Sequence, residues 1–181
     1  MHAPDHIGDN GGAAGTRMPA STVFWLSLAG VATIDVVTKY IAHTRMVPAN
    51  FPRPIAGDVL RFTLIYNPGA AFGLNVGPYS RWIFLALTVA ALLVLGNLYR
   101  STSPADWRRA LAIGLVSGGA TGNLINRLWS THGVVDFIDM GIGSHRWPAF
   151  NVADIGITMG AFLLAWVLWG EERTGAAQLH E

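Results

Sequence analysis

Residues 117–154 read SGGATGNLINRLWSTHGVVDFIDMGIGSHRWPAFNVAD, and the fold turns on how that stretch is understood. It opens in an apolar helix studded with glycines and passes a polar turn carrying Gly133-Val134-Val135-Asp136-Phe137. It then enters a second apolar helix through Trp147-Pro148-Ala149-Phe150-Asn151-Val152-Ala153-Asp154. Asp136 and Asp154 therefore sit near the ends of segments that belong in a bilayer. A carboxylate at the membrane centre costs about 2.5–3.5 kcal/mol on insertion scales, so an ionisable residue at such depth marks a functional site by default. Two of them flanking one turn point to a shared water-activating site.

Working outward, composition agrees with a membrane protein. The 181 residues are 51% hydrophobic and 13% charged, against roughly 25% charged in a soluble domain. The formal net charge of +1 gives no argument for a nucleic-acid partner. With no cysteine, disulfides, thiol catalysis and thiolate metal sites are excluded.

Four runs reach the ~20 apolar residues needed to cross a hydrocarbon core: Thr22–Ala42, Ser80–Tyr99, Arg109–Leu128 and Phe150–Gly170. Residues 1–20, rich in Gly, Ala, Pro and Asp, read as a disordered tail. Residues 21–170 form one four-span domain, and residues 171–181 a short C-terminal tail. The expected fold is thus an all-α membrane protein of four transmembrane helices. A small β-containing extracytoplasmic region in the first loop completes it, because Val59-Leu60-Arg61-Phe62-Thr63-Leu64-Ile65-Tyr66 is β-branched and aromatic and breaks at Asn67-Pro68-Gly69. Both termini are expected in the cytoplasm. Arg17, Arg100, Arg108, Arg109 and Arg173 then lie inside, although Arg45, Arg53, Arg61, Arg81, Arg127 and Arg146 fall outside and leave a raw count ambiguous.

Each span carries its own signal. Asp35 and Lys39 are one helical turn apart; they read equally as a self-neutralising pair with Lys39 snorkelling to the interface, or as polar support for a nearby site. The second span has no charged residue in its core and reads as a lipid-facing packing helix. The third repeats small residues at Ala110, Gly114, Gly118 and Gly122, a ridge that lets a neighbouring helix approach closely. Asn123 and Arg127, a turn apart at its end, can face one polar cavity. In the fourth, Asn151 can cap the helix with Asp154 in the first turn, where the helix dipole favours a carboxylate.

Two carboxylates sharing one proton are the minimal apparatus for aspartic hydrolysis: one takes a proton from water while the other, protonated, polarises the scissile carbonyl. No metal or other cofactor is required. Spacing alone leaves a carrier open, a small proton- or cation-coupled transporter or scaffold, though paired half-helices and inverted repeats are lacking. A Ser–Lys protease would have to use Lys39, the only lysine, with no evident serine partner. Ser117 has no histidine on the final helix to activate it. A zinc site from His132, Asp136 and His145 lacks the His-Glu-x-x-His pattern.

Five motifs in order resemble those of the bacterial lipoprotein signal peptidase family, signal peptidase II: Asp35-Val-Val-Thr38-Lys39, Asn67-Pro-Gly69-Ala-Ala-Phe72, Gly118-Gly119-Ala-Thr-Gly122-Asn123, Val134-Val135-Asp136-Phe137 and Phe150-Asn151-Val-Ala153-Asp154. Each alone is weak; all five in order on such a chain are highly specific. The resemblance implies a monomeric intramembrane aspartic endopeptidase of the bacterial inner membrane, its active site towards the extracytoplasmic face. Such an enzyme cuts signal peptides from diacylglyceryl-modified prolipoproteins just before the lipidated cysteine, with membrane lipid as its other partner. By the match, Asp136 and Asp154 are the catalytic dyad. Asn67, Gly69, Asn123, Arg127 and Asn151 hold substrate or orient the dyad, and Asp35 and Lys39 form the first-helix polar motif. One position departs: the family's Gly-Asn-x-x-Asp-Arg reads Gly122-Asn123-Leu124-Ile125-Asn126-Arg127 here. Asn126 cannot supply a negative charge, so a salt bridge from that position to Arg127 is absent, although a hydrogen bond can replace it geometrically.

Overall fold

The computed structural model describes residues 18–69 and 77–178. The disordered tail expected at residues 1–20 lies almost wholly outside them, as do Ala70, Ala71 and Phe72 of the second motif. In chain order the elements are α1 (Ala20–Arg45), β1 (Arg53–Ala56), β2 (Leu60–Asn67), α2 (Ser80–Arg100), α3 (Trp107–Trp129), β3 (Val134–Ile142), β4 (His145–Arg146) and α4 (Val152–Gln178). Helical backbone thus continues through residues 171–178, where a tail was expected.

Small residues decide how the helices pack. A Cβ on Gly118 would come within 2.7 Å of the Leu28 carbonyl oxygen of α1, and one on Gly122 would strike the Asp35 carboxylate. The glycine ridge of α3 therefore lies against α1. A second small face, not read from the sequence, meets α4: a Cβ on Gly119 would strike the Ala153 carbonyl, and one on Gly160 would come within 2.8 Å of the Ala112 carbonyl oxygen. Backbones brought this close gain dispersion contacts without needing a hydrophobic drive, the packing mode suited to lipid. α2 also packs on α3, and only its Ser80 is buried.

Among the described residues three helices are long and apolar enough to cross a membrane, Ala20–Arg45, Ser80–Arg100 and Val152–Arg173. α3 falls short on apolarity. Its glycines and Asn123 face other helices, Asn126 faces β3, and eleven of its residues, from Ala110 to Asn126, are buried.

The sheet is larger than the first loop alone provides. Four antiparallel strands run in the order β1-β2-β3-β4, and the longest strand, β3, covers the stretch read as a polar turn. Val135 pairs with Tyr66 and Asp136 with Ile65. Gly133 makes the entry possible: its φ is +115°, and a Cβ there would come within 2.7 Å of the Pro68 nitrogen. Leu64, Val135 and Phe137 then close a small core over Ala42 at the end of α1. Farther out, Arg146 donates to the Asp139 carboxylate at 2.9 Å and Thr63 to its other oxygen at 3.0 Å, sewing β2, β3 and β4 together. Phe150, expected to open the last helix, instead bridges to Ile138, and α4 starts two residues later.

Candidate active site

The sheet and the helix ends meet around one cavity of about 420 Å³. Asp136 arrives on β3 and Asp154 in the first turn of α4. Between them stands Asn151, fully buried. Its Nδ2 donates to Asp136 Oδ1 at 2.7 Å, and its backbone N–H donates to Asp154 Oδ2 at 3.2 Å. Its Oδ1 accepts from the Asp154 N–H at 3.0 Å, a reciprocal cap in which the carboxylate and the amide satisfy each other's helix-end donors. The expected N-cap is therefore present, and it also holds the second carboxylate.

Each carboxylate has one further amide. Asn67 Nδ2, at the end of β2, donates to Asp136 Oδ2 at 3.1 Å, while Asn123 Nδ2 on α3 donates to Asp154 Oδ1 at 3.0 Å. Asp136 is 3% exposed. Burial first, and then the neighbouring Asp154, push its carboxyl from the ordinary 3.8 up to about 7, against the opposing hydrogen bonds of Asn67 and Asn151. At neutral pH a proton is thus available on the strand-borne member.

Asp35 and Lys39 stand behind this wall rather than in it. Lys39 is 1% exposed and does not snorkel: its Nζ donates to Asp35 Oδ2 at 2.7 Å and to Asn123 Oδ1 at 2.6 Å. An ammonium has donors only, so Asn123 must turn its oxygen to Lys39 and its NH₂ to Asp154. Asp35 uses its other oxygen to accept from the Ala153 N–H at 2.8 Å, tying α1 to the start of α4. The pair thus neutralises itself away from the interface, and it touches the Asn123 amide that also holds Asp154.

Asn67, Gly69, Asn123, Arg127, Asp136, Asn151 and Asp154 all line the cavity. Arg127 donates to the Gly69 carbonyl at 3.5 Å and to the Asn123 carbonyl at 3.4 Å. Asn126 bonds elsewhere. Its Oδ1 accepts from the Val135 N–H at 2.7 Å, so it anchors β3 next to Asp136 instead of bonding Arg127. Among the described residues its buried Nδ2 finds no acceptor. The residues weighed for a zinc site are dispersed: His132 packs on the Tyr66 ring, and His145 pairs with Ile142 at the far end of β3. What the sequence did not reveal is the apolar wall, made by Trp147, Pro148 and Phe150 and then by Ile155 and Met159 one and two turns along α4. The Trp147–Phe150 run was the available signal, and it was read only as an entry to the helix.

Fold and site together define a helical membrane protein with two buried, amide-held carboxylates at the edge of its apolar helices. Residues 27–170 match the family model described as signal peptidase (SPase) II. The lipoprotein signal peptidase of Teredinibacter turnerae is 43% identical over 139 residues, covering 75% of this chain and 80% of that protein. That of Cupriavidus taiwanensis is 38% identical over 159 residues, with 86% of each chain covered. A bacterial membrane enzyme solved by the in meso method at 2.3 Å superposes with a TM-score of 0.74 at 32% identity, covering 84% of this chain and 90% of its own. The chain belongs to the signal peptidase II family, and so is a peptidase.

Proposed function

We propose that this chain is an intramembrane aspartic endopeptidase that removes signal peptides from diacylglyceryl-modified prolipoproteins, cutting before the lipidated cysteine. The observation that carries the reading is the pair Asp136 and Asp154, lodged in one cavity and bridged by Asn151. Both carboxylates accept amide hydrogen bonds on both oxygens, but Asp154 is the less buried of the two, which suits the ionised member. Asp154 takes a proton from water as the water attacks. Asp136, holding a proton up to about pH 7, donates to the scissile carbonyl and steadies the oxyanion. The proton gained by Asp154 then passes to the leaving amine, and the pair returns to its single-proton state. Asn67, Asn123 and Asn151 orient the dyad; Gly69 and Arg127 meet substrate; Asp35 and Lys39 set the direction of Asn123.

The cavity has a polar end at the dyad and a larger apolar wall beyond it, which fits a substrate with a peptide at the interface and acyl chains in the leaflet. In this reading α3 also crosses the membrane, bringing the count to four. Its 23 residues extend about 35 Å, and its polar face is shielded by α1 and α4. Both termini then lie in the cytoplasm of a cell whose inner membrane holds the protein, with the sheet and the dyad outside. The short α2–α3 connection flanked by Arg100, Arg108 and Arg109 supports that orientation.

The test is cleavage of a diacylglyceryl-modified precursor by the purified protein with a chelator present. Processing that depends on the acyl modification and on both aspartates is expected. Chelator-sensitive cleavage, or cleavage that survives Asp154→Asn, would overturn the aspartic assignment.

A further inference from the structure

We propose that Arg81, in the first turn of α2, is a positioning residue for substrate binding: it acts through Arg127, by fixing the end of α3 from which that guanidinium enters the cavity. This rests on the reading above that Arg127 meets substrate. α2 is otherwise an apolar helix turned outward, with Trp82 and Leu93 60% and 71% exposed, so an arginine at its start has solvent and headgroups open to it. Its side chain instead turns back onto α3. Nε donates to the Arg127 carbonyl at 2.7 Å and Nη2 to the Leu128 carbonyl at 2.8 Å.

Those carbonyls belong to the last turn of α3 (Trp107–Trp129), where no later helical N–H reaches them. A guanidinium offers parallel donors from one rigid plane and can hold two successive carbonyls together; an ammonium is a single point. One turn further along α2, the Phe84 ring centroid lies 5.9 Å from the Arg127 guanidinium carbon. α2 therefore grips Arg127 twice, at its main chain and at the tip of its side chain.

What remains to hold the tip is slight. Its hydrogen bonds to Asn123 and Gly69 are 3.4 and 3.5 Å long, at the weak end for N–H···O contacts. Yet among the described residues Arg127 is the one cationic side chain lining the cavity. None of its hydrogen bonds among the described residues goes to Asp136 or Asp154, so its donors are left for a group that enters: the carbonyls of an extended peptide. When Arg81 is lost, the last turn of α3 is free to fray and the guanidinium swings away, weakening binding more than chemistry.

A double-mutant cycle on a lipidated precursor tests this. Arg81→Met is expected to raise KM about tenfold with kcat changed less than about threefold, the size of effect that misplacing one binding group produces. Arg127→Gln raises KM by a similar factor, and in that background Arg81→Met adds less than about twofold. Arg81→Lys, which keeps one donor, recovers part of the loss and serves if the methionine variant does not fold. Factors that multiply in the double variant overturn the proposal while leaving the role of Arg127 intact. A wild-type KM in Arg127→Gln alone removes the role of Arg127 and the proposal with it.

Discussion

α2 and α3 are nearly equal in length, 21 and 23 residues, and opposite in character. α2 is apolar from Trp82 to Leu95 but for Thr88, and Ser80 alone is buried; α3 is interrupted by glycines, a serine and two asparagines, and much of it is buried. In water the apolar helix would form the core. Lipid reverses the rule, since an apolar face gains nothing by leaving the acyl chains and a polar one must find partners inside. Within this protein the interior is therefore where polar residues gather, and the value of a side chain is set by its partner rather than by its hydrophobicity.

The heaviest blow to that contrast falls on the carboxylates. Asp136→Asn and Asp154→Asn should each lower kcat by at least about a thousandfold, since either removes a proton-transfer group, while the protein remains folded in detergent. Wild-type kcat/KM should decline as pH rises through about 7, where Asp136 gives up its proton. Stability follows with a definite sign. Because the folded-state value is raised above 3.8, the favourable term from this group is present in full below that pH and is lost as pH climbs to about 7. Asp136→Asn should thus melt above wild type at pH 8, and the difference should close towards pH 4. A variant that melts below wild type at pH 8 would show that the carboxylate is not held against its charge.

Next in size is Lys39→Met, which leaves Asp35 unpaired within α1, α3 and α4. A loss of about 3–5 kcal/mol is expected for a broken buried pair, read as poor accumulation and early melting. The double change Asp35→Asn with Lys39→Met should recover most of the stability but not the rate, because Asn123 is then free to reverse its amide. Full activity in the double variant would mean that the pair neutralises itself and does nothing more. Smaller again is Asn126. Asn126→Leu removes the acceptor for the Val135 N–H at a cost of about 1–3 kcal/mol, whereas Asn126→Asp keeps it and should keep activity. Equal damage from both would show that the carbonyl oxygen is not what matters. The least effect belongs to α2: Leu93→Ala, at a side chain 71% exposed, should shift stability by less than about 0.5 kcal/mol.

Much of this contrast is legible in the sequence, and its gaps have physical causes. The dyad and five of its neighbours stand in recognisable patterns because helix-end chemistry is local: Asn151 and Asp154 are three apart, Asn123 and Arg127 four. β3 was missed because Val134, Val135, Asp136 and Phe137 are all buried, and a strand covered on both faces loses the alternation by which strands are recognised. Its second edge is held by the Asn126 side chain, by Asn151 and by the Phe150 carbonyl, partners that no strand propensity encodes. Spacing leaves Lys39 equally open to the interface and to a supporting role, because its second acceptor, Asn123, lies 84 residues away. Arg81 carried no signal at all, since its partners are carbonyls and every residue has one.

The double hold of Asn151 bears on how the protein meets bilayers of different thickness. A helix whose apolar length does not match the hydrocarbon tilts or shifts to compensate, and α4 carries Asp154 in its first turn. Were Asp136 anchored only within the sheet, each such adjustment would change the gap between the carboxylates. Asn151 is the hinge pin common to both, its main chain bonded to one and its side chain to the other. A lean of α4 that kept both hydrogen bonds would draw the strand-borne carboxylate along with it, so the pair would shift together in membranes that differ in depth.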